Sequence, residues 1–138
     1  MPVLRENAMC LLSSTVIADL NTGGYTRLFQ VPAGKILIPD QIVIHSATGT
    51  LVATGTGDIN IGGSSTNAAT PVWVDAWAAF EEITDSADFY ILRADNNENI
   101  VIDGDNATAA NREFGIFIVT GADANGATFD LFGYLIDS

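Results

Sequence analysis

Tyr25-Thr-Arg-Leu-Phe-Gln-Val31-Pro-Ala-Gly-Lys35-Ile-Leu-Ile-Pro39-Asp-Gln-Ile-Val-Ile44-His-Ser46 is the stretch that decides the fold. Its two halves are rich in β-branched and aromatic residues, and each places large apolar side chains two apart: Phe29 with Val31, Ile36 with Ile38, Ile42 with Ile44. Between them lies a turn. Pro32 presets its own φ and Gly34 can take φ > 0, so Val31-Pro-Ala-Gly-Lys35 specifies a corner by local chemistry alone. Pro39 has no N–H to give a ladder, which predicts a bend or bulge in the second strand, or a place at a sheet edge.

The same signals extend in both directions. Upstream, Met9 to Asp19 suits a strand and Asn21-Thr-Gly-Gly24 is a turn. Downstream, Ile59 and Ile61 alternate with polar residues inside a glycine-rich region, and Val72 to Val74 can extend. Asp75 to Ile83 is the one segment with helical spacing, with Asp75 as its cap. Ala87–Ala94 and Asn99–Ile102 read as a hairpin, and Glu113–Thr120 is apolar enough to be a central strand. Asn125-Gly126 predicts a hairpin into the last strand, Ala127–Asp137. Eight or nine strands without αβ alternation make an all-β, single-domain antiparallel sandwich. Tight turns alternating with the long loops 62–71 and 103–111 favour a jelly roll. Residues 1–24 supply an N-terminal arm and first strand, and 25–138 the rest of the sandwich, within one structural domain.

A chain of 138 residues buries roughly 68% of its unfolded surface, enough for one core. Hydrophobic residues make up 48% and charged residues 16%, so few charges remain to coat a monomer, and subunit association is expected. Acids outnumber bases 17 to 5, for a net charge of -12. Arg5, Arg27, Lys35, Arg93 and Arg112 stand alone, and without a basic cluster nucleic-acid binding is not expected. No cationic leader precedes the short apolar run Ala8–Ala18, and no run reaches the ~18 apolar residues of a membrane span. Synthesis in a reducing cytoplasm, without membrane association, follows. Cys10 is the only cysteine, which excludes an intrachain disulfide and predicts a buried bystander.

Few residues invite chemistry. His45 is the sole histidine, no nucleophile-elbow sequence accompanies it, and a structural role is expected. Gly55-Thr-Gly57 lacks the following helix of a phosphate loop. A carboxylate pair for glycoside hydrolysis cannot be picked out by spacing. Trp73 and Trp77 suit core packing or a stacking platform, to which Tyr90 could add. Asp103, Asp105 and Asn106, like Asp95 to Glu98, gather the hard oxygens that Ca²⁺ takes, but also the residues of which turns are made. No cofactor is expected. In the last strand, Phe129, Leu131 and Leu135 share one face, and Phe132, Tyr134 and Ile136 share the other. If the first set is core, the second is a subunit contact or lies under Met9–Leu20.

The segment Phe29-Gln-Val-Pro-Ala-Gly-Lys35 with Ile36 to Val43 resembles a pattern common in virion proteins of tailed bacteriophages, where an aromatic strand enters Val-Pro-Ala-Gly-Lys and an Ile/Val-rich strand leaves it. Asp130-Leu-Phe-Gly-Tyr-Leu-Ile136 is similar to the closing strand of such domains. The two segments cover well under half the chain. The resemblance implies a non-enzymatic capsid decoration (cement) protein of jelly-roll type, trimeric on the shell, with the major capsid protein as partner and the virion as its location. A tail-fibre, receptor-binding or carbohydrate-binding module is the alternative.

Overall fold

The computed structural model describes residues 8–49, 51, 58–63, 78–80, 90–93, 101–120 and 125–138. Within them the chain forms β1 (Cys10–Ile17), β2 (Gly24–Gln30), β3 (Lys35–His45), β4 (Asp58–Gly63), β5 (Ala78–Phe80), β6 (Tyr90–Arg93), β7 (Ile102–Asp103), β8 (Glu113–Thr120) and β9 (Ala127–Asp137), with one 3₁₀ turn at Ala109–Arg112. One sheet has the order β1-β9-β3-β6, with β7 also on β3; the other has the order β2-β8-β4-β5. All pairings are antiparallel. The fold is an all-β sandwich. Its partners nest: β1 with β9, β2 with β8, β3 with β6, β4 with β5.

Strand alternation builds the core from both sheets. The first sheet sends in Leu37, Ile42, Ile44, Phe129 and Leu131, and the second sends in Leu28, Ile61, Phe114, Ile116 and Ile118. Pro39 falls where the β3–β9 register slips between Pro39 and Gln41, so the predicted bulge is present. The slip also resets the pleat. Leu37 and Pro39 are buried before it, and Ile42 and Ile44 after it.

Three local expectations are corrected. Ala78–Phe80 lies in the segment read as helical, yet it pairs with Ile59–Ile61 as a strand; a ladder on the free edge of β4 outweighs the helix propensity of two alanines. Among the described residues β6 and β7 do not pair with each other. Both take the same edge of β3, β6 along Gln41–Ile44 and β7 along Ile36–Leu37. Asn125-Gly126 does not close a hairpin either, because β8 and β9 belong to different sheets. Gly126 is needed for a close approach instead: a Cβ there would lie 2.2 Å from the Ile17 carbonyl oxygen.

The 31–35 turn carries the chain from one sheet to the other, and the loop after β7 holds it there. Val31 N–H donates to Arg112 O at 2.8 Å and Gly104 N–H to Lys35 O at 2.8 Å. Gly34 takes φ 75°, as the sequence requires. The C-terminus adds a clasp, with Ser138 N–H on Gly34 O at 3.1 Å and Lys35 paired with Asp137.

Candidate interaction face

The proposed metal ligands are spent on the backbone of this corner. Asp105 Oδ1 accepts from Gly34 N–H at 2.8 Å and its Oδ2 from the Ser138 hydroxyl at 2.9 Å. Asp103 Oδ1 accepts from Asp105 N–H at 2.8 Å, and Asn106 Oδ1 from Thr108 N–H at 2.9 Å. These are Asx turns. No group of three or more His, Cys, Asp or Glu among the described residues could hold a metal ion. Asp95–Glu98, Trp73 and Trp77 lie outside the described residues, as does the Tyr90 side chain.

The Gly34 N–H, and after it the Ser138 hydroxyl, hold the Asp105 carboxyl below its ordinary value, with Arg112 adding to the effect and desolvation opposing it. A depressed carboxyl pKa contributes stability in full above the unfolded value, near pH 4, and loses it as pH falls through the folded one. Followed by NMR, the Gly34 amide should therefore titrate below the range of a free aspartate. Asp105→Asn should abolish the transition, and a Gly34 amide that titrates at the free-aspartate value would exclude the clasp.

His45 has the partners of a structural histidine: its Nε2 lies 2.8 Å from Asp130 Oδ2 and its Nδ1 2.9 Å from Ser46 Oγ. The residue types are those of an acyl-transfer triad, but the hydroxyl belongs to the next residue in the chain. Beside it an open groove of about 220 Å³, bordered by Val16, Ala18, Ser46, Thr48 and Thr128, has no charged lining residue. It falls short of the ~300 Å³ at which small-molecule sites begin. Thr48 N–H and Gly126 N–H, the amides nearest to oxyanion donors, are already bonded to Gly126 O and Thr48 Oγ1.

What remains is the outer face of the first sheet. Rows of registered residues cross it: Leu11, Phe132 and Gln41; Ser14, Asp130, Val43 and Ile91; Val16, Thr128 and His45. Farther along, Tyr134 lies beside Ile38 and Ile136 beside Ile36. Phe132, Tyr134 and Ile136 thus share this face and are half-buried, while Phe129 and Leu131 point into the core. The segment that could have covered them does not. β1 adds to the edge of β9 in the same sheet, and so extends the face. Cys10 is exposed at its start rather than buried, because β1 is the edge strand of its sheet.

The opposite outer face carries a polar cluster at β2 and β8. Glu113, buried at the start of β8, accepts from the Tyr25 hydroxyl at 3.0 Å and from Arg27 Nη1 at 3.2 Å. Burial, then the hydrogen bond and charge of Glu113, push the Tyr25 phenol far up despite Arg27, so it stays a neutral donor. Nothing in the sequence singles out Glu113; only the β2–β8 register brings the three together. Tyr25 crosses Gly115 to get there, where a Cβ would lie 2.6 Å from its ring.

No protein-family model matches this chain, and no curated protein matches it. Among the described residues no helix is long and apolar enough to cross a membrane.

Proposed function

We propose that this chain is a non-enzymatic structural protein of a bacteriophage virion, which decorates the capsid as a homotrimer and stabilises it by binding neighbouring major capsid protein subunits. The observation that carries the reading is the outer face of the first sheet, where apolar positions run from β1 through β9 and β3 to β6. Such a face suits a protein whose work is contact. The nested strand pairing supports a jelly-roll topology. The resemblance of the Val31–Lys35 corner and the closing strand to phage virion domains supplies the shell, the trimer and the partner. The corner itself is fully used in holding β2, β3 and the C-terminus together, so recognition falls to surface shape and apolar contact.

A ligand that binds the assembled lattice and not its free subunits stabilises the lattice by mass action, by about 2.7 kcal/mol at a concentration 100 times its Kd. Purified protein should therefore co-sediment with shells that lack it and raise the temperature at which they release their contents. Failure to bind shells would remove the decoration reading.

A further inference from the structure

We propose that the outer face of the β1-β9-β3-β6 sheet is covered by a second copy of this chain. The inference rests on the oligomeric reading above and adds the surface that joins the copies. Its first support is where the exposure lies. Val16 is 73% exposed and Leu11 52% on β1, and Ile91 is 55% exposed on β6, so apolar groups stand in water at both margins of the face. Phe132 and Val43 lie between these margins among Gln41, Asp130, Thr128 and His45, and Tyr134 and Ile136 carry the apolar surface on along β9 beside Ile38 and Ile36. One exposed apolar residue is ordinary; apolar residues on all four strands of one face are not.

Size is the second support. The 11 residues of β9 extend about 35 Å at ~3.4 Å each, and four strands at ~4.8 Å span about 19 Å. Only β9 and β3 run that length, β1 having 8 residues and β6 having 4, so the face covers about 550 Å², and two copies would bury about 1,100 Å² together, above the ~1,000 Å² that a specific interface needs.

Charge selects the occupant. Two copies that each carry a net -12 repel one another unless they meet where that charge is absent. At the registered outward positions of this face stand two acids, Asp130, held by His45, and Asp103 on β7, opposite Ile36, and one base, Arg93. These described positions carry a net charge of -1, against -12 for the chain. A partner of another sequence would impose no such balance. The β1 margin also suits self-association, because Cys-Leu-Leu-Ser-Ser-Thr-Val-Ile carries neither charge nor proline, and only the bulge between Leu11 and Ser13 blunts this edge.

Sedimentation equilibrium across the micromolar range is the test, run on the full chain with Val16→Asp, Ile91→Asp and Tyr134→Asp, and with Gln30→Asp on the other sheet as the control. The wild type and the control should exceed 14.5 kDa. The three face variants should self-associate about 30-fold or more weakly and keep their β-sheet circular dichroism. If Tyr134→Asp unfolds, Val16→Asp and Ile91→Asp decide, since both side chains already stand in water. A monomeric wild type, or face variants that assemble like the wild type, would overturn the inference. The two readings fail separately: an oligomer that ignores shells loses only the decoration role, and a monomer that binds shells loses this interface and the trimer but keeps the decoration role.

Discussion

Gly104→Ala is expected to destabilise the protein by about 3 kcal/mol, the upper part of the range for overpacking. The added Cβ would lie 1.9 Å from Pro32 O, 2.7 Å from Pro32 C and 2.9 Å from Lys35 O. All three are backbone atoms, so no rotamer change can relieve the contact. The corner or the loop has to move. Movement of either strains the Gly104 N–H bond to Lys35 O, the Gly34 bond to Asp105 and the Ser138 bond to Gly34 O. Gly34→Ala provides the contrast, since nothing lies within 4 Å of its Cβ position and only the φ of 75° is unfavourable. It should cost about 1–2 kcal/mol. Urea midpoints of the two variants measured together are decisive: a Gly104→Ala midpoint equal to that of the wild type, or higher than that of Gly34→Ala, would mean that the corner is not clamped by this loop.

The corner also shows what a single sequence can convey. Pro32, Gly34 and Pro39 act through their own backbone, and each was legible: the turn forms, Gly34 has positive φ and the ladder slips at Pro39. The two-faced character of β9 follows from period-two spacing, and β8 is central in its sheet, between β2 and β4. Gly104, Gly115 and Gly126 are different. Each is required by a segment far away in the chain, and no local pattern distinguishes such a glycine from a flexible one. Strand partners were hidden for the same reason. Asn125-Gly126 has hairpin chemistry, but β9 pairs with β1 and β3 while β8 pairs with β2 and β4, and Phe129, Leu131, Phe114 and Ile116 share only the core. At the candidate face, Phe132, Tyr134 and Ile136 could be read from spacing. Leu11, Val16, Ile38, Val43 and Ile91 could not, because membership of the face depends on register across four strands.

Phe129→Ala is the second large effect. Phe129 is 0% exposed, in the strand that lies between β1 and β3, with Thr15 on one side and Ile44 on the other. Truncation removes a buried ring and leaves a cavity that two ladders prevent from collapsing, for a loss of about 3–5 kcal/mol. At this length each kcal/mol lowers Tm by roughly 3–5 °C, so the shift should be on the order of 10–20 °C. Phe132→Ala, three residues along and on the opposite face, separates packing from assembly. In an isolated chain Phe132 is only partly covered, and its truncation should cost about 1 kcal/mol whatever the protein concentration. Under a second copy the cost also includes the lost association, and association makes Tm depend on concentration. The wild type should then melt higher as it is concentrated, and Phe132→Ala should flatten that dependence, while Phe129→Ala lowers Tm at every concentration. A Phe129→Ala shift no larger than that of Phe132→Ala would mean that the inner and outer faces of β9 have been assigned the wrong way round.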